Sequence, residues 1–191
     1  MTSVPETLPR VRPRKAKIGL VAGGLGAYWP QFPDLLPQLQ RSATRVGERL
    51  RALGEDDFEV VDVGFISDPY EGAAAAERLR VAGCDLIVGF LTTYMTASML
   101  APVAQRSGAP VLLINLQPTE KMDHDTFDTG AWLAYCGSCP LPEMANTFRR
   151  AGIDFRSVCR AFWRTSGRGP GSVGGYGQRL CVARSGTPGM G

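Results

Sequence analysis

Four short stretches of this chain carry side chains that could do chemistry. The first is Cys136-Gly137-Ser138-Cys139-Pro140. Two cysteines with two residues between them, set just before a helix, have the spacing of a redox pair, and a helix N-terminus favours thiolate. Half of a zinc site has the same spacing, yet Cys159 and Cys181 are isolated and supply no second pair. The second is Asp123-His124-Asp125-Thr126-Phe127-Asp128, which holds the single histidine. An imidazole among carboxylates could bind a metal or move a proton, but a solvated acidic loop has the same composition. The third and fourth are Thr92-Thr93-Tyr94 and Leu116-Gln117-Pro118-Thr119-Glu120, hydroxyl- and amide-bearing clusters suited to a ligand rich in hydroxyls. No nucleophile, base and orienting group are visible as a set. Glu143 falls in the first turn of a helix, where the dipole favours a carboxylate.

The elements that must hold these groups alternate. Lys17–Gly23, Phe58–Gly64, Asp85–Phe90, Pro110–Asn115 and Arg156–Ala161 are short, nearly continuous apolar runs, the pattern of strands buried on both faces. Between them lie four helical segments. A long one opens at Pro33, with Leu36, Leu39, Ala43, Val46, Leu50 and Leu53 on one face, and ends at Gly54. The second is capped by Ser67-Asp68-Pro69 and stopped by Gly83. The third, Thr96–Ser107, contains Pro102, which predicts a kink or a shortened first turn. The fourth runs from Pro140 to Ala151, after a polar loop over Thr119–Gly130. Strand–helix–strand units of this length pair in parallel with right-handed crossovers. The expected fold is therefore α/β: an open, doubly wound, five-stranded parallel sheet, flavodoxin-like, in the order 2-1-3-4-5. Ligands of such sheets sit beyond the carboxyl ends of the strands, which is where Thr92–Tyr94 and Gln117 fall.

Composition sets the outer limits. The chain has 191 residues, 44% hydrophobic and 20% charged, which suits one domain with appendages. The net charge of +3 is small and partly confined to Arg10, Arg12, Arg14, Lys15 and Lys17, a weak basis for nucleic-acid binding. No apolar run reaches the roughly 18 residues of a membrane span. Residues 1–14 lack the apolar core of a secretory signal. Five cysteines, an odd number without an export signal, predict a reduced, cytoplasmic setting. Residues 1–16, with Pro5, Pro9 and Pro13, read as a disordered leader, and 17–164 as the folded domain. From Thr165 to Gly191 about a third of the residues are glycine and none is acidic. Such a tail reads as disordered, or as out-of-frame translation of a GC-rich gene.

Gly24-Leu25-Gly26-Ala27-Tyr28-Trp29 resembles a dinucleotide fingerprint only superficially. Trp29 stands where the third glycine must be, too bulky for the close approach of helix and strand. The stretch is better read as a strand-end loop whose Tyr28, Trp29 and Gln31 face a ligand or subunit, or pack the end of the sheet.

Gly24–Phe32, Leu91-Thr92-Thr93-Tyr94-Met95 and Val111–Pro118, in that order and spacing, resemble the N-terminal domain of L-arabinose isomerase-like sugar isomerases, a group that includes the L-fucose isomerases. The resemblance spans about Lys17 to Trp163. It implies a flavodoxin-like first domain of a larger, metal-dependent, cytoplasmic isomerase that interconverts aldoses and ketoses. It also implies homo-oligomers in which this domain helps close a neighbouring subunit's monosaccharide site. By position, Leu25 and Ala27 match pocket-lining residues. Cys136 and Cys139 match the place where typical members carry Gln and His, and Glu143 matches a glutamate closing that motif. The exchange of His for Cys puts L-arabinose in doubt as the substrate. The family's metal ligands, two glutamates and two histidines that hold manganese, lie in later domains, and those glutamates also serve as acid and base. The expectation is a truncated chain with no catalytic residue and no metal site of its own, inactive alone. Its sugar contacts would be Leu25, Ala27, Tyr28, Thr92, Thr93, Tyr94, Gln117, Cys136, Cys139 and Glu143. The alternatives are a stand-alone sugar-binding or interaction module, and a thiol oxidoreductase using Cys136 and Cys139.

Overall fold

The computed structural model describes residues 14–119 and 125–161. Five parallel strands, β1 (Ala16–Gly23), β2 (Phe58–Ile66), β3 (Leu86–Leu91), β4 (Val111–Gln117) and β5 (Phe155–Ala161), form one sheet in the order β2-β1-β3-β4-β5. This is the expected flavodoxin-like winding. The order reverses between β1 and β3, so the chain leaves these neighbouring strands in opposite directions and opens a crevice at their carboxyl ends.

Helices α1 (Leu35–Leu53), α2 (Pro69–Ala82), α3 (Ala97–Ser107), α4 (Thr129–Leu133) and α5 (Leu141–Arg150) lie between the strands. The main core lies on one side of the sheet. Ile87, Leu91 and Leu113 meet Ala76 and Leu79 of α2, Met99, Leu100 and Val103 of α3, and Met144 and Phe148 of α5. On the other side Val46 of α1, with Ala43 and Leu50 half-buried, covers Leu20, Ala22, Val88 and Phe90. Leu53, expected on the buried face of α1, is 59% exposed. The apolar stripe that packs on the sheet ends one turn earlier, at Leu50. Leu35, at the other end, is buried instead, against Leu133 and Ala134.

Local chemistry explains the helix ends. The Asp68 carboxylate accepts the backbone N–H groups of Tyr70 and Glu71, both at 2.8 Å, and Pro69 takes the first helical position of α2. Helices α2 and α3 touch at Gly72, where any Cβ would overlap the carbonyl of Met99. Helix α3 runs through Pro102 without a break. The carbonyl that the proline leaves without a helical donor belongs to Ser98, an exposed residue that water can reach.

Two further differences bear on the site. The loop expected to extend to Gly130 ends earlier, because Asp128 accepts the Ala131 N–H at 2.7 Å and starts α4. The two cysteines expected to open the fourth helical segment form a separate 3-10 turn, Cys136–Ser138, ahead of α5. The leader up to residue 13, Glu120, Asp123, His124 and the glycine-rich tail fall outside the described residues. No described helix is long and apolar enough to cross a membrane.

Candidate functional site

Three loops meet above the crevice: that after β1, that after β3, and the 3-10 turn before α5. The first two are fastened together. Gly23 carbonyl accepts both the Thr92 N–H (3.3 Å) and the Thr92 hydroxyl (2.8 Å), and Leu25 N–H donates to Tyr94 carbonyl (2.9 Å). The third loop lies across the ends of β3 and β4. Gly137 approaches the Leu91 carbonyl and the Asn115 side chain so closely that a Cβ would collide with both. Only glycine lets the Cys136–Cys139 turn settle there.

This arrangement brings five of the sequence-selected residues together. Tyr94 hydroxyl donates to Glu143 Oε2 at 3.0 Å. Glu143 Oε1 accepts the N–H of Ala97 at 2.7 Å. Ala97 is the first residue of α3, and the N-cap residue Thr96 makes no side-chain cap. Glu143 also lies in the first turn of α5, so its carboxylate sits where two helix N-termini converge. The dipole argument for Glu143 thus extends to a second helix, 46 residues away in sequence. The hydrogen bond to Glu143, followed by that carboxylate's charge, raises the pKa of Tyr94 above its ordinary 10.0. Tyr28 is also raised, first by burial and then by the nearby thiols of Cys136 and Cys139. Tyr28 contributes to the shift of Tyr94 in turn. The two phenols, two thiols and the carboxylate therefore share one neighbourhood.

The cysteines differ from each other. Cys136 is buried and Cys139 is exposed. Burial, then the charge and hydrogen bond of Cys139, push the Cys136 thiol up to about 12.

The other selected residues serve the fold. Thr93 hydroxyl donates to the Leu133 carbonyl at 2.6 Å and is fully buried. Thr92 and Thr93 thus direct their hydroxyls at backbone carbonyls. Leu25 packs against the main core, and Ala27 is exposed with its carbonyl accepting from Gln31. Trp29 donates through Nε1 to Ser67 at 3.1 Å and stacks at a tilt on Phe65. That is the sheet-packing reading of this aromatic rather than the ligand-facing one. Gln117 donates to the Tyr135 carbonyl at 3.3 Å, while its buried Oε1 has no partner among the described residues. Asp128 of the acidic loop serves as the α4 cap. Cys84 is buried, and the half-buried Cys159 accepts from Asn115 Nδ2 at 3.1 Å.

Sequence reasoning passed over two aromatics here. Tyr135 hydroxyl pairs with Thr119 at 2.6 Å, and Trp132 projects from α4 at 50% exposure. The signal available for both was Asp128, a helix-capping residue just ahead of them.

Among the described residues, the donors at this end do not suit manganese. It prefers carboxylate, carbonyl and water oxygens in octahedral array, whereas the carboxylate present is spent on Ala97 and Tyr94 and the remaining groups are thiols and phenols. Among the described residues, no three His, Cys, Asp or Glu side chains gather as a metal set.

Neither a family model nor a curated relative matches the chain. Among solved structures, an ABC-transporter solute-binding protein from Burkholderia multivorans, with an unknown ligand interpreted as α-D-erythrofuranose, aligns at a TM-score of 0.31 and 12% identity. The alignment covers 78% of this chain and 61% of that one, so this chain spans less than two thirds of its neighbour's length. So loose an overlay carries no argument about ligand. The class that the fold defines is a flavodoxin-like α/β domain.

Proposed function

We propose that this chain is a sugar-contact domain of the aldose–ketose isomerase kind, which presents polar groups to a monosaccharide and does not itself carry the isomerisation chemistry. The observation that supports this reading is the convergence of Tyr28, Tyr94, Glu143, Cys136 and Cys139 at the crevice where the strand order reverses. A monosaccharide is recognised by donors and acceptors fixed on a partly apolar floor. Here the phenols supply the polar edge and the aromatic rings the floor. Glu143 holds Tyr94 in place rather than acting as a base, because both of its oxygens already accept hydrogen bonds. In a homo-oligomer, this rim would lie against a neighbouring subunit's sugar.

Calorimetric titration of the chain with L-arabinose, L-fucose and the corresponding ketoses, without metal, tests the reading. Binding of at least one sugar is expected. Tyr28→Phe should weaken it about fivefold, the value of one neutral hydrogen bond of roughly 1 kcal/mol. Absence of binding across the panel, or binding unaltered by Tyr28→Phe, would overturn it. Turnover of any of these sugars by the purified chain supplied with manganese would refute the non-catalytic part.

A further inference from the structure

We propose that Cys136 and Cys139 form a dithiol–disulfide site in which Cys139 attacks and Cys136 resolves. The geometry of the turn carries this. Cys139 N–H donates to the Cys136 carbonyl at 3.0 Å, closing the 3-10 turn. Side chains three residues apart on such a turn eclipse one another. Three steps of roughly 2.0 Å put the two Cα atoms about 6 Å apart, inside the approximately 4.4–6.8 Å that a disulfide spans. The turn is held in that form by Gly137, wedged against the Leu91 carbonyl. A disulfide can therefore close without moving the backbone out of place.

The two thiols are unequal in the way a relay needs. Cys139 is exposed and reachable by a small disulfide, while Cys136 lies behind it with 3% exposure. Cys136 holds its proton strongly, first because it is buried and then because of Cys139. It is therefore a poor first nucleophile. Once the sulfur of Cys139 is covalently engaged, its charge no longer opposes ionisation of Cys136.

The oxidant is a low-molecular-weight disulfide such as oxidised glutathione. Cys139 thiolate attacks one of its sulfurs, forming a mixed disulfide and releasing one glutathione thiolate. Cys136 gives up its proton, attacks the Cys139 sulfur and expels the second glutathione. Two protein thiols are oxidised by two electrons, and one glutathione disulfide is reduced to two thiols. Cys84 is buried and Cys159 is tied to Asn115, so neither is placed to compete. This proposal rests on the turn and stands independently of the sugar reading.

The test is to hold the full chain in graded mixtures of reduced and oxidised glutathione, alkylate the remaining thiols and map the peptides by mass. The expected product is one intramolecular Cys136–Cys139 disulfide, reversed by dithiothreitol. Cys136→Ser should stop at a glutathione adduct on Cys139, and Cys139→Ser should leave Cys136 unmodified. The wild-type chain decides the matter even if a variant misfolds. A lasting adduct on wild-type Cys139 that never closes would overturn the proposal. So would a disulfide joining Cys136 to another cysteine.

Discussion

Glu143 is the residue whose replacement tests the site most directly. Its two oxygens serve two partners: the N–H of Ala97 at the start of α3, and the hydroxyl of Tyr94. Glu143→Ala removes an N-terminal cap, at a cost of about 0.5–2 kcal/mol. It also removes a hydrogen bond to a charged acceptor, worth roughly 1.5–3 kcal/mol when desolvated. The pair is only partly buried, so values near the lower end of each range apply, and about 2–3 kcal/mol is expected in total. Glu143→Gln should behave differently. The amide oxygen can still accept from Ala97, and the amide nitrogen can donate to the Tyr94 oxygen. Only the charge at the helix ends is lost, about 0.3–1 kcal/mol. Urea denaturation reads both. With a slope near 2 kcal/mol per molar, Glu143→Ala should lower the midpoint by about 1–1.5 M and Glu143→Gln by less than about 0.5 M. A double-mutant cycle with Tyr94→Phe should show positive coupling between the two residues. Equal losses for Ala and Gln, or no coupling to Tyr94, would refute the capping argument.

Other outcomes follow from the same contacts. Gly72→Ala should destabilise by about 1–3 kcal/mol despite better helix propensity, because the added methyl strikes the Met99 carbonyl where α2 meets α3; the urea midpoint reads this. Asp68→Ala should cost about 1 kcal/mol by the same assay, through loss of the cap on Tyr70 and Glu71. Tyr28 and Tyr94 both hold their protons more tightly when folded than the ordinary 10.0. Their contribution is thus complete below the unfolded value and is lost as pH rises through the folded one. Melting temperature should fall steeply above pH 10, and Tyr94→Phe should flatten that fall. Oxidising Cys136 and Cys139 removes the thiols' share of the Tyr28 shift but not the share due to burial, so the phenolate should appear at lower pH in the oxidised chain; ultraviolet titration follows it.

The central strands β1 and β3 were legible because they are buried on both faces, and continuous apolar runs such as Leu86–Leu91 have few other readings. The strand order is the simplest winding that alternation with helices and right-handed crossovers allow. Helix α4 was not legible, because five residues from Thr129 to Leu133 are too few to display a helical period. That gap had consequences. Without α4 the Leu133 carbonyl has no location, so nothing in the sequence says that the Thr93 hydroxyl is already taken. Tyr28 and Tyr94 stand out in the sequence as strand-end residues, and Cys136, Cys139 and Glu143 are placed with them by resemblance. The physical cause of their meeting, a carboxylate on α5 reaching the first N–H of α3, joins residues 46 apart and leaves no local trace. Leu53 shows the opposite failure: it keeps the helical period of Val46 and Leu50, yet it is exposed.

The double grip of Thr92 on the Gly23 carbonyl, with the Leu25–Tyr94 bond beside it, has a thermodynamic consequence. Loops that move separately must each be stilled when a ligand arrives, and every ordered segment subtracts from affinity. Here the loops bearing Tyr28 and Tyr94 are stitched before any ligand is present, so most of that ordering entropy is lost on folding. On the proposed sugar-contact reading, ligand association should show small entropy penalties and no slow conformational phase. Thr92→Val would remove the hydroxyl bond and leave the two backbone bonds, so it should slacken this edge without parting the two loops.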